Sequence, residues 1–189
     1  MFFFIETMII EETTIKDLFV IQPAVFKDER GYFFEAYNES KFKAKGLNYN
    51  FIQDNQSFSS RGVIRGLHLQ INPFAQAKLV RVLQGEILDV AVDLRKNSPT
   101  YGQHFSIVLS AENKKQLMIP HGFAHGFSVL SETASVMYKV DQVYHKESER
   151  GIRFDDPTLN IDWQVGPDEV IVSEKDLILP AFKDIDWGF

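Results

Sequence analysis

Side chains of the types that can serve as base, cation and acid stand in several blocks of this sequence. His68 sits in the block Arg61-Gly62-Val63-Ile64-Arg65-Gly66-Leu67-His68-Leu69-Gln70. His is the usual general base near neutral pH. Gly66 permits a bulge that turns Arg65 and His68 to one side of a strand. The competing reading is a surface strand with a solvated Arg and a hydrogen-bonded His. Lys78 stands in Gln76-Ala77-Lys78-Leu79-Val80-Arg81-Val82-Leu83, in phase with Val80 and Val82. If those two point inward, so does Lys78. An interior Lys is costly without a partner or a task. One such task is holding the negative oxygen of an enolate. If Leu79 and Leu83 face inward instead, Lys78 is solvated, and periodicity alone favours that alternative.

Three further positions complete the set. In Ile119-Pro120-His121-Gly122-Phe123-Ala124-His125-Gly126-Phe127, Pro120 and Gly122 fix a sharp turn and His125 enters the next strand. Two His four apart suggest a metal site only on a helix, which Pro120 and Gly122 oppose. His121 is expected at the surface. His125 can be a metal ligand, a substrate donor or a buried structural His. Tyr138 shares a strand face with Val136 and Val140. An inward Tyr near a base can act as the opposing acid, although core Tyr residues are common. Asp176 closes Ser173-Glu174-Lys175-Asp176. A carboxylate there can orient a His and raise its basicity. A charged run of this kind is more often a solvated loop or a helix start.

These side chains need a scaffold of strands. Leu88, Val90, Val92 and Leu94 share one face of a strand, with Asp89 and Asp93 on the other. Phe105, Ile107 and Leu109 alternate with Ser106, Val108 and Ser110. Lys78 to Leu83, Leu117 to Ile119, Gly126 to Leu130 and Ser135 to Val140 are further strand segments, separated by turn residues. Many short strands at near-regular spacing predict a sandwich or barrel. One short helix is predicted from Glu39 to Lys45, capped by Asn38 and closed by Gly46. The expected fold is one all-β domain of jelly-roll type with a few short helices.

Composition bounds the function. The chain has 189 residues, enough for one domain with a substantial core. Its 17 Phe suit strands and stacking surfaces. A net charge of −6 argues against generic nucleic-acid binding, and an anionic substrate would need local Arg and Lys. There is no Cys, which fits a reducing cytoplasm and excludes thiolate chemistry. No run is long enough to cross a bilayer as a helix. The opening Met1-Phe2-Phe3-Phe4-Ile5-Glu6 lacks the marks of a signal peptide. Residues 1–7 are expected to be an N-terminal extension.

Taken in order, the blocks resemble the dTDP-4-dehydrorhamnose 3,5-epimerase family of the cupin superfamily. The resemblance runs from about Phe19 to Asp176. Besides the blocks above, it is carried by Phe26-Lys27-Asp28-Glu29-Arg30-Gly31-Tyr32-Phe33-Phe34-Glu35, Gln53-Asp54-Asn55, Asp89-Val90-Ala91-Val92-Asp93 and Leu109-Ser110-Ala111-Glu112-Asn113-Lys114. It implies a cupin-type jelly roll that works without cofactor or metal on a dTDP-linked 4-keto-6-deoxy hexose. It implies His68 as base paired with Asp176, Tyr138 as proton donor on the opposite face, and Lys78 at the enolate oxygen. It also implies that Arg65 and His125 line the sugar and diphosphate site. Gln53, Asp54, Asn55, Glu149 and Lys175 would contact substrate. Arg30 and Glu35 would reach the neighbouring subunit's site, in a homodimer with an exchanged strand.

Four positions depart from the family's commonest pattern: Leu69, Ala77, Met118 and Phe154. None removes a side chain with a proposed role. Rival readings remain. A metal-dependent cupin would need a His-x-His pair where Leu69-Gln70 follow His68. A non-catalytic sugar-nucleotide binding module would keep Arg65 and Arg30 without needing His68, Tyr138 and Asp176 together. A single-carbon epimerase or a ketoisomerase on a related nucleotide sugar is a nearer alternative.

Overall fold

The structure, a computed structural model, describes residues 7–189. Apart from Thr7, the expected N-terminal extension lies outside the described residues. Two sheets face each other. The larger has the order β1 (Ile9–Glu12), β2 (Phe19–Gln22), β10 (Gln116–Ile119), β7 (Lys78–Gln84), β12 (Thr133–Val140), β5 (Gln53–Ser60). The smaller has the order β13 (Glu149–Gly151), β6 (Ile64–Gln70), β11 (Phe123–Val129), β8 (Glu86–Asp93), β9 (His104–Ser110). All pairings within them are antiparallel. A hairpin, β3 (Val25–Asp28) and β4 (Gly31–Phe34), forms a separate two-stranded sheet. The architecture is the expected cupin-type jelly roll.

Apolar layers lie on three levels. Between the sheets, Val80, Val82, Leu117, Ile119 and Val136 meet Ile87, Ala91, Phe123 and Phe127. Outside the smaller sheet, Leu88, Val90, Val92 and Leu94 pack under Trp163, Phe182 and Trp187 of the C-terminal segment. Outside the larger sheet, Leu79 and Met118 pack under Phe42 of α1 (Glu39–Ala44). Asn38 caps α1 by accepting from the Lys41 amide, and Gly46 follows in a left-handed conformation (φ +85°). Burial on both faces explains why β7 misleads a simple alternation rule. Leu79 is indeed buried, but on the outer side, and Lys78 points between the sheets with 8% exposure. The expectation of a solvated Lys78 is therefore corrected.

The C-terminal segment returns across the smaller sheet. Ile171 bridges Val63 in parallel, its amide donating to Gly62 O and its carbonyl accepting from the Ile64 amide, both at 2.9 Å. This stitch delivers α2 (Glu174–Leu177) to the edge of β6, with Ser173 as its cap.

Candidate active site

A cavity of about 650 Å³ opens between the two sheets at their β5 and β6 ends. Its wall contains Arg65, His68, Lys78, His125, Tyr138 and Asp176. All but Asp176, which α2 carries, are placed by strand pairing. On β11, His125 and Phe127 pair with His68 and Arg65 of β6, so β6 carries an extra residue between them. This bulge lets two residues three apart share a face. Ile64, Leu67 and Leu69 then turn to the outer core. Gly66 has φ +127°, and a Cβ there would stand 2.5 Å from the Gly126 Cα. The close approach of β6 and β11 requires glycine at that point.

His68 and His125 are directly opposed in register. Such pairs hold their Cβ atoms roughly 4.5–5.5 Å apart. On the facing sheet, Tyr138 pairs with Val80, so Lys78 is its diagonal neighbour. Diagonal positions lie roughly 7–8 Å apart. The base-type and acid-type side chains thus face each other from different sheets, with the ammonium beside the phenol.

Asp176 lies 2.7 Å from His68 Nε2 and is 4% exposed. Burial pushes its carboxyl up, but hydrogen bonds from His68, the Gly66 backbone and Ser173 outweigh this, holding it below the usual carboxylate value. Lys78 Nζ donates to His68 O at 3.3 Å. Burial lowers the Lys78 ammonium to about 8, against the opposing charges of Asp89 and Glu149. Burial raises the Tyr138 phenol above its ordinary value. It keeps its proton across neutral pH, as an acid must.

The mouth has its own polar cluster. Glu149 Oε2 accepts from Lys175 Nζ at 2.7 Å and from the Tyr144 hydroxyl at 3.0 Å. Arg65 Nε donates to Ser59 Oγ at 2.9 Å. Gln53, Asn55 and Ser57 alternate along β5 toward the cavity. Asp54 does not join them. It sits on the opposite face of β5, where Lys139 holds it at 2.8 Å, because consecutive strand residues point to opposite sides. Arg30 and Glu35 also lie outside this chain's cavity, bonded to Asp28 and Lys41 respectively. His121 is exposed, as expected, and bonds Asp141.

Sequence reasoning missed three features. Tyr144 is an exposed aromatic at the mouth. Ser57 Oγ is a buried hydroxyl without a partner in the cavity wall. Asp89, fully buried, bonds His125 Nε2 at 2.8 Å. Nothing in the sequence marks the first two. The placement of Asp89 opposite the leucine face of its strand was a partial signal for the third. Of the four departures from the family pattern, Ala77 and Met118 sit under α1 and Phe154 packs against the C-terminal core, away from the cavity. Leu69 alone borders it.

Among the described residues, no group of three His, Cys, Asp or Glu is gathered to hold a metal ion. Gln70 is engaged by the backbone at Phe74 O, Val143 O and the His145 amide. No helix among the described residues is long and apolar enough to cross a membrane.

The fold is a cupin-type jelly roll whose cavity gathers side chains of acid and base type, and similarity to known proteins places the chain among isomerases. The profile of the dTDP-4-dehydrorhamnose 3,5-epimerase family matches residues 12–184. A Pseudomonas aeruginosa protein of that name is 53% identical over 173 residues, covering 91% of this chain and 94% of its own. The crystal structure of such an enzyme from Elizabethkingia anophelis superposes with a TM-score of 0.91 at 56% identity, covering 95% of this chain and 99% of that one. A Legionella pneumophila dTDP-6-deoxy-D-glucose-3,5-epimerase in complex with dTDP-4-keto-L-rhamnose gives 0.91 at 47% identity, covering 95% of both. The chain belongs to the dTDP-4-dehydrorhamnose 3,5-epimerase family.

Proposed function

We propose that the enzyme inverts C3 and C5 of dTDP-4-keto-6-deoxy-D-glucose, giving dTDP-4-keto-L-rhamnose for rhamnose donor synthesis, with His68 as the base. The C4 ketone acidifies the hydrogens on both neighbouring carbons. His68 removes one, and the electron pair moves onto the ketone oxygen. Lys78 meets that developing charge in a site where a preorganised cation is most effective. Tyr138 returns a proton from the facing sheet, so the centre is inverted. Once solvent has taken the proton from His68 and returned one to Tyr138, the same three groups act on the second carbon. Asp176 fixes the His68 ring and supports the imidazolium that forms. The observation that carries this reading is the 2.7 Å His68–Asp176 contact inside a cavity shared with Lys78 and Tyr138.

Arg65, Lys175, Gln53 and Asn55 supply donors for the diphosphate and sugar. Tyr144 offers an exposed ring for the nucleotide base. The reading extends to a cytoplasmic homodimer. Support for the dimer is the exposed outer side of the β3–β4 hairpin, with Phe26 at 56% and Phe33 at 71% exposure and Arg30 at its tip. Arg30 and Glu35, outside the cavity of their own chain, would serve the partner's. Analytical ultracentrifugation tests the dimer. Proton NMR of the substrate with enzyme in heavy water tests the reaction. Exchange at both C3 and C5 supports the reading, and exchange at neither ends it.

A further inference from the structure

The His125–Asp89 pair has no part in the proton transfers just described. We infer that Asp89 is a positioning residue that holds His125 with the Nδ1 lone pair turned to the cavity, where it accepts a hydrogen bond from a hydroxyl of the sugar ring. This deepens the reading above and rests on it for the identity of the ligand.

The geometry fixes the tautomer. Asp89 is 0% exposed and His125 7%. The Asp89 Oδ1 lies 2.8 Å from His125 Nε2. A carboxylate oxygen only accepts, so Nε2 carries the hydrogen. A second ring proton is disfavoured. Burial pushes His125 below its ordinary value, Lys78 and His68 add to this, and Asp89 opposes it without reversing it. The single proton is therefore committed to Asp89, and Nδ1 is left as an acceptor.

That acceptor is open. Nδ1 has no protein partner, and it is not among the sealed, unpartnered side-chain atoms of the described residues. His125 itself lines the cavity. A purely structural His of this kind would have both nitrogens bonded or buried. The substrate supplies the matching donor. A nucleotide-linked 4-keto-6-deoxy hexose has free ring hydroxyls only at C2 and C3. Lys78 and Arg65 can only donate, and His68 is reserved for carbon-bound hydrogens. The register opposition of His125 and His68 puts the acceptor beside the base, next to a reacting carbon. Asp89 also leaves its Oδ2 without a hydrogen-bond partner. An amide at this position would leave the ring free to take the other tautomer.

Two measurements test this. The first is imidazole nitrogen NMR of the free, ¹⁵N-histidine-labelled protein at neutral pH, which needs no variant and no substrate. A bare Nδ1 and a protonated Nε2 at His125 are expected. In Asp89→Asn the two resonances should mix or exchange. A protonated Nδ1 in the unaltered protein overturns the inference. The second compares deuterium incorporation at C5 for the full substrate with its 2-deoxy and 3-deoxy analogues. One analogue should lose roughly tenfold to a hundredfold in kcat/KM. That penalty should shrink toward unity in Asp89→Asn, and the analogue affected identifies the hydroxyl. Full-rate exchange of both analogues overturns the inference. No exchange with any of the three sugars would instead overturn the proposed function, while the NMR result still decides the tautomer.

Discussion

Two aspartate–histidine pairs stand side by side in one cavity, and they are built differently. His68 and Asp176 are 108 residues apart, and the aspartate arrives on a one-turn helix at the end of a returning segment. The His68 side chain is 30% exposed. His125 and Asp89 are 36 residues apart on paired strands, and both are buried, with His125 keeping one edge on the cavity. A ring that must gain and lose a proton needs a supporting carboxylate and access to the reacting carbon. A ring that must keep one tautomer needs rigidity and dryness. On the roles proposed for them, the same two residue types serve both ends because burial and supporting elements differ.

This contrast can be broken or sharpened by experiment. The largest effect is expected from His68→Ala, which should cut solvent deuterium incorporation by about 10²–10⁴-fold. Wild-type exchange in that variant would remove the first pair from the mechanism. Asp176→Asn should lower kcat by a similar order, roughly 10²–10⁴-fold, with KM little changed. A purely structural aspartate would instead show lost folding by circular dichroism.

Tyr138→Phe separates the two faces of the ring. Product formation should fall about 10²-fold while the first hydrogen still exchanges. Equal loss of both would assign the acid elsewhere.

Lys78 gives a pH signature that neither aspartate shares. It is a cation whose value burial lowers from 10.5 to about 8. It is charged below that value, so activity should fall as pH rises through about 8, roughly tenfold per unit. Stability should move the other way. The folded state disfavours the buried ammonium, so its cost is fully present below about 8 and fades as pH rises toward the unfolded value. A pH–rate profile beside a pH–melting profile checks both signs. Lys78→Arg, still charged at high pH, should lack the alkaline limb.

The smallest effect concerns stability. Asp89→Ala leaves a sealed ring nitrogen unpaired and should cost about 1–3 kcal/mol by denaturant melting. Asp176→Ala should cost less, because water reaches the half-open His68. Equal losses would erase the distinction between the pairs.

The sequence made much of this scaffold readable, for reasons that individual residues show. Alternation in β8 and β9 is clean because one face is apolar throughout, and Gly66 correctly signalled the bulge that unites Arg65 and His68. β5 escaped notice because its inward face is polar. Gln53, Asn55 and Ser57 line a cavity, where no apolar period is required. Lys78 was ambiguous because α1 buries the outer face of β7 as well, and that helix is distant in sequence. The His125–Asp89 contact depends on β8 lying beside β11, which no local pattern states. The family resemblance supplied the pairing of His68 with Asp176, which spacing alone left open.

The stitch between Ile171 and Val63 has a temporal consequence. Synthesis runs from the N-terminus, so every cavity-forming strand leaves the ribosome before Asp176 does. A nascent chain can assemble its sheets while His68 still lacks the carboxylate that steadies it. If His68 is the base proposed above, full proton-abstracting power follows the strands in time, and docking of the helix that carries Asp176 switches it on.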